Sequence, residues 1–177
     1  MLYTPDERDT VIEEKELAPP LSGAPLPTVF ATEHRLLVAY YVQLWDPEPT
    51  QRRRMPVLVS DSSLGTIAVA DFRRPAAFFS VPVSDETFDA HPLAFRGLVG
   101  NGVFRVENSS WIRRLIAAQY YHRKPYPGAL SDLKHYIFVF HDSIFEAAAI
   151  DLEIRTVEGS MRDAENDMLE SLRKRSV

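Results

Sequence analysis

The sequence predicts an α+β domain in which a strongly bent antiparallel sheet or partial barrel carries one main packed helix and a C-terminal helix. Strand-like runs outnumber helical ones, short turns join neighbouring runs, and regular strand–helix alternation is missing. Short connections favour antiparallel pairing. The missing alternation argues against a doubly wound parallel sheet.

The first 28 residues form an acidic, proline-rich N-terminal arm, and residues 29–177 are expected to form a single domain. The arm holds six acids and two bases, which is −4 of the net charge of −5. Thr10 is followed three residues later by a glutamate, as in a capping box, which allows a short helix over 11–17 that could not stand alone. The arm is therefore either disordered or laid over its own domain or a second subunit. Four prolines at 18–27 exclude regular helix there.

Four strand-like runs follow the arm. Residues 35–45 are rich in β-branched and aromatic residues, and both alternating faces are mostly apolar, as in a strand covered on both sides. Three further strands are expected at 55–61, 65–72 and 76–83. A helix start is expected at 84–86, where a capping serine precedes two acids.

The second half of the chain begins with a predicted hairpin over 94–107, because Asn101 and Gly102 lie between apolar runs. The clearest helix follows at about 110–123, with apolar residues at helical spacing. The last helix is expected over 161–175. Its apolar stripe is narrow, which is typical of a helix that docks on a sheet edge or on a partner.

Between these helices lies the stretch HYIFVFHDSIFEAAA, residues 135–149, predicted to be a hairpin that turns at Asp142 and Ser143 and whose second strand continues to about Val157. His135 and His141 are six residues apart, roughly 20 Å along a strand, so they cannot share one metal ion.

Folding the hairpin about that turn pairs position 139 with Glu146. His141 and Glu146 then become diagonal neighbours on an otherwise apolar face. Such a pair is either a buried tie or an acid/base pair, with Asp142 or Glu107 nearby; a third possibility is two ligands of a metal completed elsewhere. A Ser143 nucleophile is disfavoured, because strand neighbours point to opposite faces and no G-x-S-x-G elbow is present.

A second candidate site is the start of the main helix. Asn108, Ser109 and Ser110 can all cap it, and Arg113 adds positive charge, so Ser109, Ser110 and Arg113 are candidate anion-binding residues. Plain capping is the structural alternative.

Composition narrows the classes of function. The chain has no cysteine, which excludes disulfides, thiol nucleophiles, zinc–thiolate sites and iron–sulfur clusters and suits a reducing cytosol. Outside the arm the net charge is near −1, which argues against nucleic-acid binding. No apolar run is long enough to span a membrane and no signal peptide is apparent. A cytoplasmic location is therefore expected, with no membrane partner and no cofactor.

These observations favour a small binding or interaction protein without an evident catalytic set. Self-association through the arm or the last helix is expected, and another protein is a possible partner. The first alternative is a hydrolase-like enzyme, with or without a metal ion, built on His141 and Glu146. The second alternative is a carrier of a small apolar ligand in the concavity of the sheet.

Overall fold

Nine strands and two α-helices form the described part of the chain. The computed structural model describes residues 3–24, 26–42, 59–83, 87–119 and 130–174. The strands are β1 (Thr10–Glu13), β2 (Thr28–Ala31), β3 (Arg35–Tyr41), β4 (Gly65–Arg73), β5 (Ala77–Pro82), β6 (Gly102–Glu107), β7 (Lys134–Val139), β8 (Ser143–Ala149) and β9 (Asp151–Gly159). The helices are α1 (Ser110–Gln119) and α2 (Met161–Lys174), and short 3-10 turns lie at Phe88–Ala90 and Ala94–Arg96. The predicted α+β class is confirmed.

The strands form two antiparallel sheets that are not closed into a barrel. One sheet has five strands in the order β1-β6-β7-β8-β5, and the other has four in the order β2-β3-β4-β9. Alternate residues of both sheets meet in one buried cluster. Its aromatic members are Tyr40, Phe72, Tyr136, Phe138, Phe140 and Phe145. The bent sheet expected from the sequence is thus two packed sheets.

The two sheets are connected at a corner where the chain crosses twice. β4 is followed by β5 in the other sheet, and β8 by β9, so the predicted strand to about 157 is broken at Ile150. There the Ile150 N–H donates to the Arg73 carbonyl at 3.0 Å, and the Ala76 N–H donates to the Ala148 carbonyl at 2.8 Å. The crossing strands therefore remain bonded to each other through the corner.

The outer face of each sheet has its own cover. Met161, Ala164 and Met168 of α2 pack on the outer face of the four-stranded sheet, and we call this surface the α2 face. The arm, the first 3-10 turn, Leu93, Leu98 and α1 cover the outer face of the five-stranded sheet, which we call the arm face. The apolar stripe of α2 is therefore buried against its own chain.

Two local predictions are wrong. The arm does not form a helix over 11–17, because Thr10–Glu13 pairs with β6 as an edge strand. The hairpin over 94–107 is also absent, since only β6 is a strand there. β6 already has β1 and β7 on its two sides, so no edge remains for a hairpin partner.

Some predicted elements fall outside the described residues. They are most of the strand at 55–61, the helix start at 84–86, and the ends of the two helices beyond Gln119 and Lys174. Where the described residues begin again, Phe88–Ala90 is a single 3-10 turn.

Candidate functional site

The site is centred on Glu146, in the middle of β8. β8 lies between β7 and β5, and Glu146 is paired with Ile137 on one side and Phe79 on the other. Strand alternation turns Glu146 to the same face as Ile144 and Ala148, which belong to the apolar cluster under the arm. Only 1% of its surface is exposed. A carboxylate is therefore buried in the middle of an apolar layer.

Three side chains donate hydrogen bonds to this carboxylate. His135 Nε2 lies 2.6 Å from Oε2, His91 Nε2 lies 2.8 Å from Oε1, and the Tyr3 hydroxyl donates to Oε2 at 2.8 Å. We call Tyr3, His91, His135 and Glu146 the Glu146 cluster. Tyr3 is in the arm and His91 is in the loop that joins β5 to β6, whereas His135 is in β7 and Glu146 is in β8. Only the completed fold brings these residues together.

The protonation of His91 follows from its second hydrogen bond. The Leu93 N–H donates to His91 Nδ1 at 3.2 Å, so Nδ1 carries a lone pair and the proton resides on Nε2. His91 is therefore a neutral donor to Glu146 Oε1. This contact fixes one carboxylate oxygen and leaves the other to His135 and Tyr3.

The hydrogen bonds continue from His135 to Ser109. Ser109 Oγ lies 2.9 Å from His135 Nδ1, on the opposite side of the ring from Glu146. Ser109 Oγ also accepts the Ile112 N–H at 3.3 Å, which directs the serine proton toward the imidazole. We call this chain of contacts the Ser109–His135–Glu146 relay.

A sharp strand-to-helix turn positions Ser109. β6 ends at Glu107, and α1 begins at Ser110, so two residues make the connection. The first, Asn108, has a φ of +52°, in the left-handed region that asparagine tolerates better than most residues. Ser109 then serves as the N-cap of α1, with its side chain directed at β7.

Electrostatics keep the central carboxylate ionised. Burial raises the pKa of Glu146, but the hydrogen bonds from His135 and His91 outweigh burial, and the net pKa is lowered. The pKa of Tyr3 is raised by burial and by the neighbouring Glu146 charge, so its hydroxyl remains a proton donor. The cluster is thus an ionised carboxylate surrounded by donors.

Aromatic rings enclose the relay. Trp111 contacts His135 edge-on at a centroid distance of 4.9 Å and stacks on Tyr3 at 5.9 Å. Phe79 closes the far side of Trp111 at 5.2 Å. These rings exclude water, which strengthens the electrostatic interactions within the cluster.

Ser109 is also at the wall of a surface groove of about 440 Å³. Four cationic side chains and one carboxylate, Glu107, are among the lining residues. The cations are Arg8, Arg105, Arg113 and Lys134. The relay therefore ends at Ser109, which is the only serine among the described residues that line this groove.

The predicted pairing of His141 with Glu146 is wrong. The observed register pairs Ile137, not Val139, with Glu146. His141 lies four residues beyond Ile137, roughly 13 Å in extended backbone. Its Nδ1 is 2.8 Å from Asp142 Oδ1, where the imidazole is 42% exposed. The shift of two residues keeps Glu146 on the expected face but changes its histidine partner.

The other candidates of the hairpin lie apart from the relay. Asp142 remains in the turn, and His141 lines a separate groove of about 320 Å³. The Ser143 hydroxyl is buried and has no hydrogen-bond partner among the described residues. Glu107 bonds to Arg105 at 3.2 Å, at the groove.

The candidate anion site is occupied by the arm itself. The Ser110 N–H donates to Asp9 Oδ1 at 2.6 Å, and Arg113 forms an ion pair with Asp6. Ser109 faces His135 instead. The carboxylates bound at the start of α1 therefore belong to the same chain. Binding of an external anion by Ser109, Ser110 and Arg113 stays a prediction.

Sequence reasoning missed three members of the cluster. The correct register would have identified His135, because it is the diagonal neighbour of Glu146 across the strand pair. For His91 and Tyr3 no local signal exists, since their contacts span 55 and 143 residues of chain.

Three further observations bear on function. Within residues 3–24, 26–42, 59–83, 87–119 and 130–174, no group of three or more His, Cys, Asp or Glu side chains has the geometry to hold a metal ion. In the same residues, no helix has the length and apolarity that crossing a bilayer requires. Comparisons of the chain with family models, curated proteins and solved structures found no match.

Proposed function

We propose that the protein is a hydrolase that cleaves esters by acyl transfer to Ser109. The observation that carries this proposal is the Ser109–His135–Glu146 relay, with contacts of 2.9 Å and 2.6 Å on the two sides of one imidazole. Serine, histidine and carboxylate in hydrogen-bonded succession are the recurring machinery of acyl transfer, and they are recognised by geometry and not by sequence order.

Each residue of the relay has a distinct task. Ser109 is the nucleophile, and His135 is the base, with Nε2–H donated to Glu146 and the Nδ1 lone pair directed at the serine. Glu146 orients the imidazole and stabilises the imidazolium that forms. His91 is a positioning residue that holds the carboxylate in place.

The reaction proceeds in two balanced steps. Ser109 Oγ forms a bond to the ester carbonyl carbon while its proton passes to His135 Nδ1. The bond to the leaving alcohol then breaks, and His135 returns the proton to that alcohol. In the second step water attacks the acyl group, gives a proton to His135 and releases the acid, and the proton returns to Ser109.

The N–H after the nucleophile completes the arrangement. In serine hydrolases with a strand-to-helix turn, the backbone N–H of the residue after the serine stabilises the developing oxyanion. In this chain that group is the Ser110 N–H, at the N-terminus of α1. The helix dipole adds to its affinity for negative charge.

Hydrolysis of a short-chain p-nitrophenyl ester tests the proposal. The wild-type chain and an Asp9→Ala chain, whose Ser110 N–H is released, should both turn over above background. Ser109→Ala should abolish this turnover in both. The matched control is Ser143→Ala, because Ser143 is as buried as Ser109, each being 4% exposed. Equal rates with and without the Ser109 hydroxyl would contradict the proposal.

The competing proposal is an interaction protein without catalysis, in which the Glu146 cluster is only a buried tie. The supporting observation is that the Tyr3 hydroxyl, both histidine Nε2 atoms and both Glu146 oxygens already have hydrogen-bond partners inside the fold. In that case both serine variants would leave ester hydrolysis at the background rate of the wild-type chain.

Self-association and a cytoplasmic location remain parts of the proposal. Apolar residues of the arm and of α2 pack on their own chain, so association would use other exposed apolar residues, such as Phe95. Light scattering of the full chain and of Phe95→Ser should give a dimer mass and a monomer mass. A monomer mass for both would contradict self-association. A cysteine-free chain suits the reducing cytosol.

The third proposal, a carrier of an apolar ligand, has less support. The concavity expected for such a ligand lies between the sheets, where Tyr40, Phe72 and Phe138 pack edge to face. An apolar ligand would have to displace these rings.

A further inference from the structure

The relay is closed by the N-terminal arm in the structure. His135 has no exposed surface, and only 4% of Ser109 is exposed, although Ser109 forms part of the groove wall. Because the nucleophile and the base are both covered, an ester reaches them only slowly, and turnover by the wild-type chain should be slow. Two residues of the arm contribute to this cover: the Tyr3 ring lies on His135 beside Trp111, and Asp9 accepts the N–H of Ser110, the residue next to Ser109.

Asp9 occupies the position of the oxyanion. Its Oδ1 accepts the Ser110 N–H at 2.6 Å, which is the group that would stabilise a negatively charged tetrahedral intermediate on Ser109. Asp9 is buried, and its Oδ2 accepts the Asp6 N–H at 2.7 Å, so the turn of the arm holds the carboxylate in place. A carboxylate oxygen on this N–H has the charge and the reach of the reaction's own oxyanion.

Tyr3 acts on the other end of the relay. Its hydroxyl donates to Glu146 Oε2, the same oxygen that accepts from His135 Nε2. Two donors on one oxygen share its negative charge, so Tyr3 weakens the interaction that would stabilise the His135 imidazolium. The Tyr3 ring also stacks on Trp111 and lies edge-on to His135 at 5.5 Å.

The rest of the arm fastens these two residues. Asp6 forms ion pairs with Arg8 and Arg113, and Arg96 donates to the Asp6 carbonyl. Beyond them, β1 is a strand of four residues at the edge of the five-stranded sheet. The arm is thus attached by polar contacts, by a short edge pairing, and by the buried Tyr3 ring with Val11 packed on the same apolar cluster.

We propose that residues 3–9 form an autoinhibitory strap in which Asp9 takes the oxyanion position and Tyr3 competes for Glu146, so that the hydrolase is active when the strap is released. This inference rests on the proposed function. It adds a latent state to it, in which the chain carries its own inhibitor.

The rate at which a fluorophosphonate probe labels full-length chains tests the strap. Asp9→Ala frees the Ser110 N–H and should raise the labelling rate about tenfold or more, since it removes a charge-assisted hydrogen bond. Tyr3→Phe keeps the ring and should raise the rate less. Glu7→Gln is the matched control, because Glu7 is an exposed carboxylate of the same arm and should leave the rate unchanged.

The outcomes separate the two proposals. Labelling that depends on Ser109 but is equally fast in wild type, Asp9→Ala and Tyr3→Phe overturns the strap and leaves the hydrolase standing. An absence of Ser109 labelling in all chains overturns the hydrolase, and the strap with it. If circular dichroism shows that Asp9→Ala is unfolded, Asp9→Asn takes its place. Asn retains the acceptor without its charge, and an unchanged rate in that folded chain also overturns the strap.

Discussion

The two outer faces of the sheet pair are covered in opposite ways. On the α2 face, Met161, Ala164 and Met168 pack on apolar side chains of β3 and β4. On the arm face, an equally buried layer contains an ionised Glu146 with donors from distant segments. Hydrogen bonds involving Tyr41, Thr28 and Arg35 also hold α2, but the buried layer of this face contains no ionised side chain among the described residues.

The comparison indicates that a sheet of this chain can be covered without a buried ionised cluster. Burying a charge costs free energy, and replacing a buried polar group by well-packed apolar residues is often neutral or stabilising. An apolar layer needs only the right volume, whereas the cluster needs each donor to be within hydrogen-bond distance. The placement of a polar chain that ends at a serine by a groove therefore favours a chemical role.

The largest expected effect comes from breaking the centre of the cluster. Glu146→Ala leaves buried donors without an acceptor and should lower the free energy of unfolding by about 3–5 kcal/mol. Chemical denaturation measures it. Met168→Ala on the α2 face is the comparison, with an expected loss of about 2–5 kcal/mol from cavity formation and no effect on ester hydrolysis. A loss below about 1 kcal/mol for Glu146→Ala would contradict the account of the cluster.

A smaller effect should appear as a pH dependence that one face has and the other lacks. Because the folded pKa of Glu146 is lowered, its contribution to stability is present above the ordinary glutamate pKa of 4.5 and is lost as the pH falls through the folded pKa. Wild type should therefore lose more stability in acid than Glu146→Gln does. Met168→Ala should keep the wild-type slope, and parallel slopes for wild type and Glu146→Gln would contradict the lowered pKa.

The smallest expected effect distinguishes two equally buried serines. Ser109→Ala removes the N-cap of α1 and should cost about 1 kcal/mol. Ser143→Ala removes a hydroxyl that has no hydrogen-bond partner among the described residues, so it should be neutral or slightly stabilising. Thermal unfolding measures the stability of both variants. An equal loss of stability for the two would contradict the hydrogen-bonding role of Ser109.

The same contrast explains how much could be predicted. The helix of the α2 face could be predicted from the sequence, because the apolar residues of 161–175 recur at helical spacing. The structure has this helix at Met161–Lys174. The class and most strands were also predictable from local alternation. By contrast, the division into two sheets depends on the corner at Ile150, where a continuous apolar pattern changes partners.

The contacts of the arm face could not be predicted, because they depend on strand register and on residues that are far apart in the sequence. Turn signals at Asp142 and Ser143 predicted the hairpin but not its register, and a shift of two residues preserved every face while exchanging His141 for His135 as neighbour of Glu146. Thr10–Glu13 satisfied a helix-capping pattern, yet the open edge of β6 stabilised it as a strand. Tertiary contacts outweighed the local preference there.

The most direct test of the central claim is the identity of the residue that becomes acylated. The Asp9→Ala chain is incubated with p-nitrophenyl acetate, quenched in acid, and its intact mass and peptides are measured. We expect one acetyl group, on Ser109, that disappears in the Ser109→Ala background and persists in Ser143→Ala. An unmodified chain, or acetyl groups only on lysines or other residues, would contradict the assignment of Ser109, His135 and Glu146 as a catalytic relay.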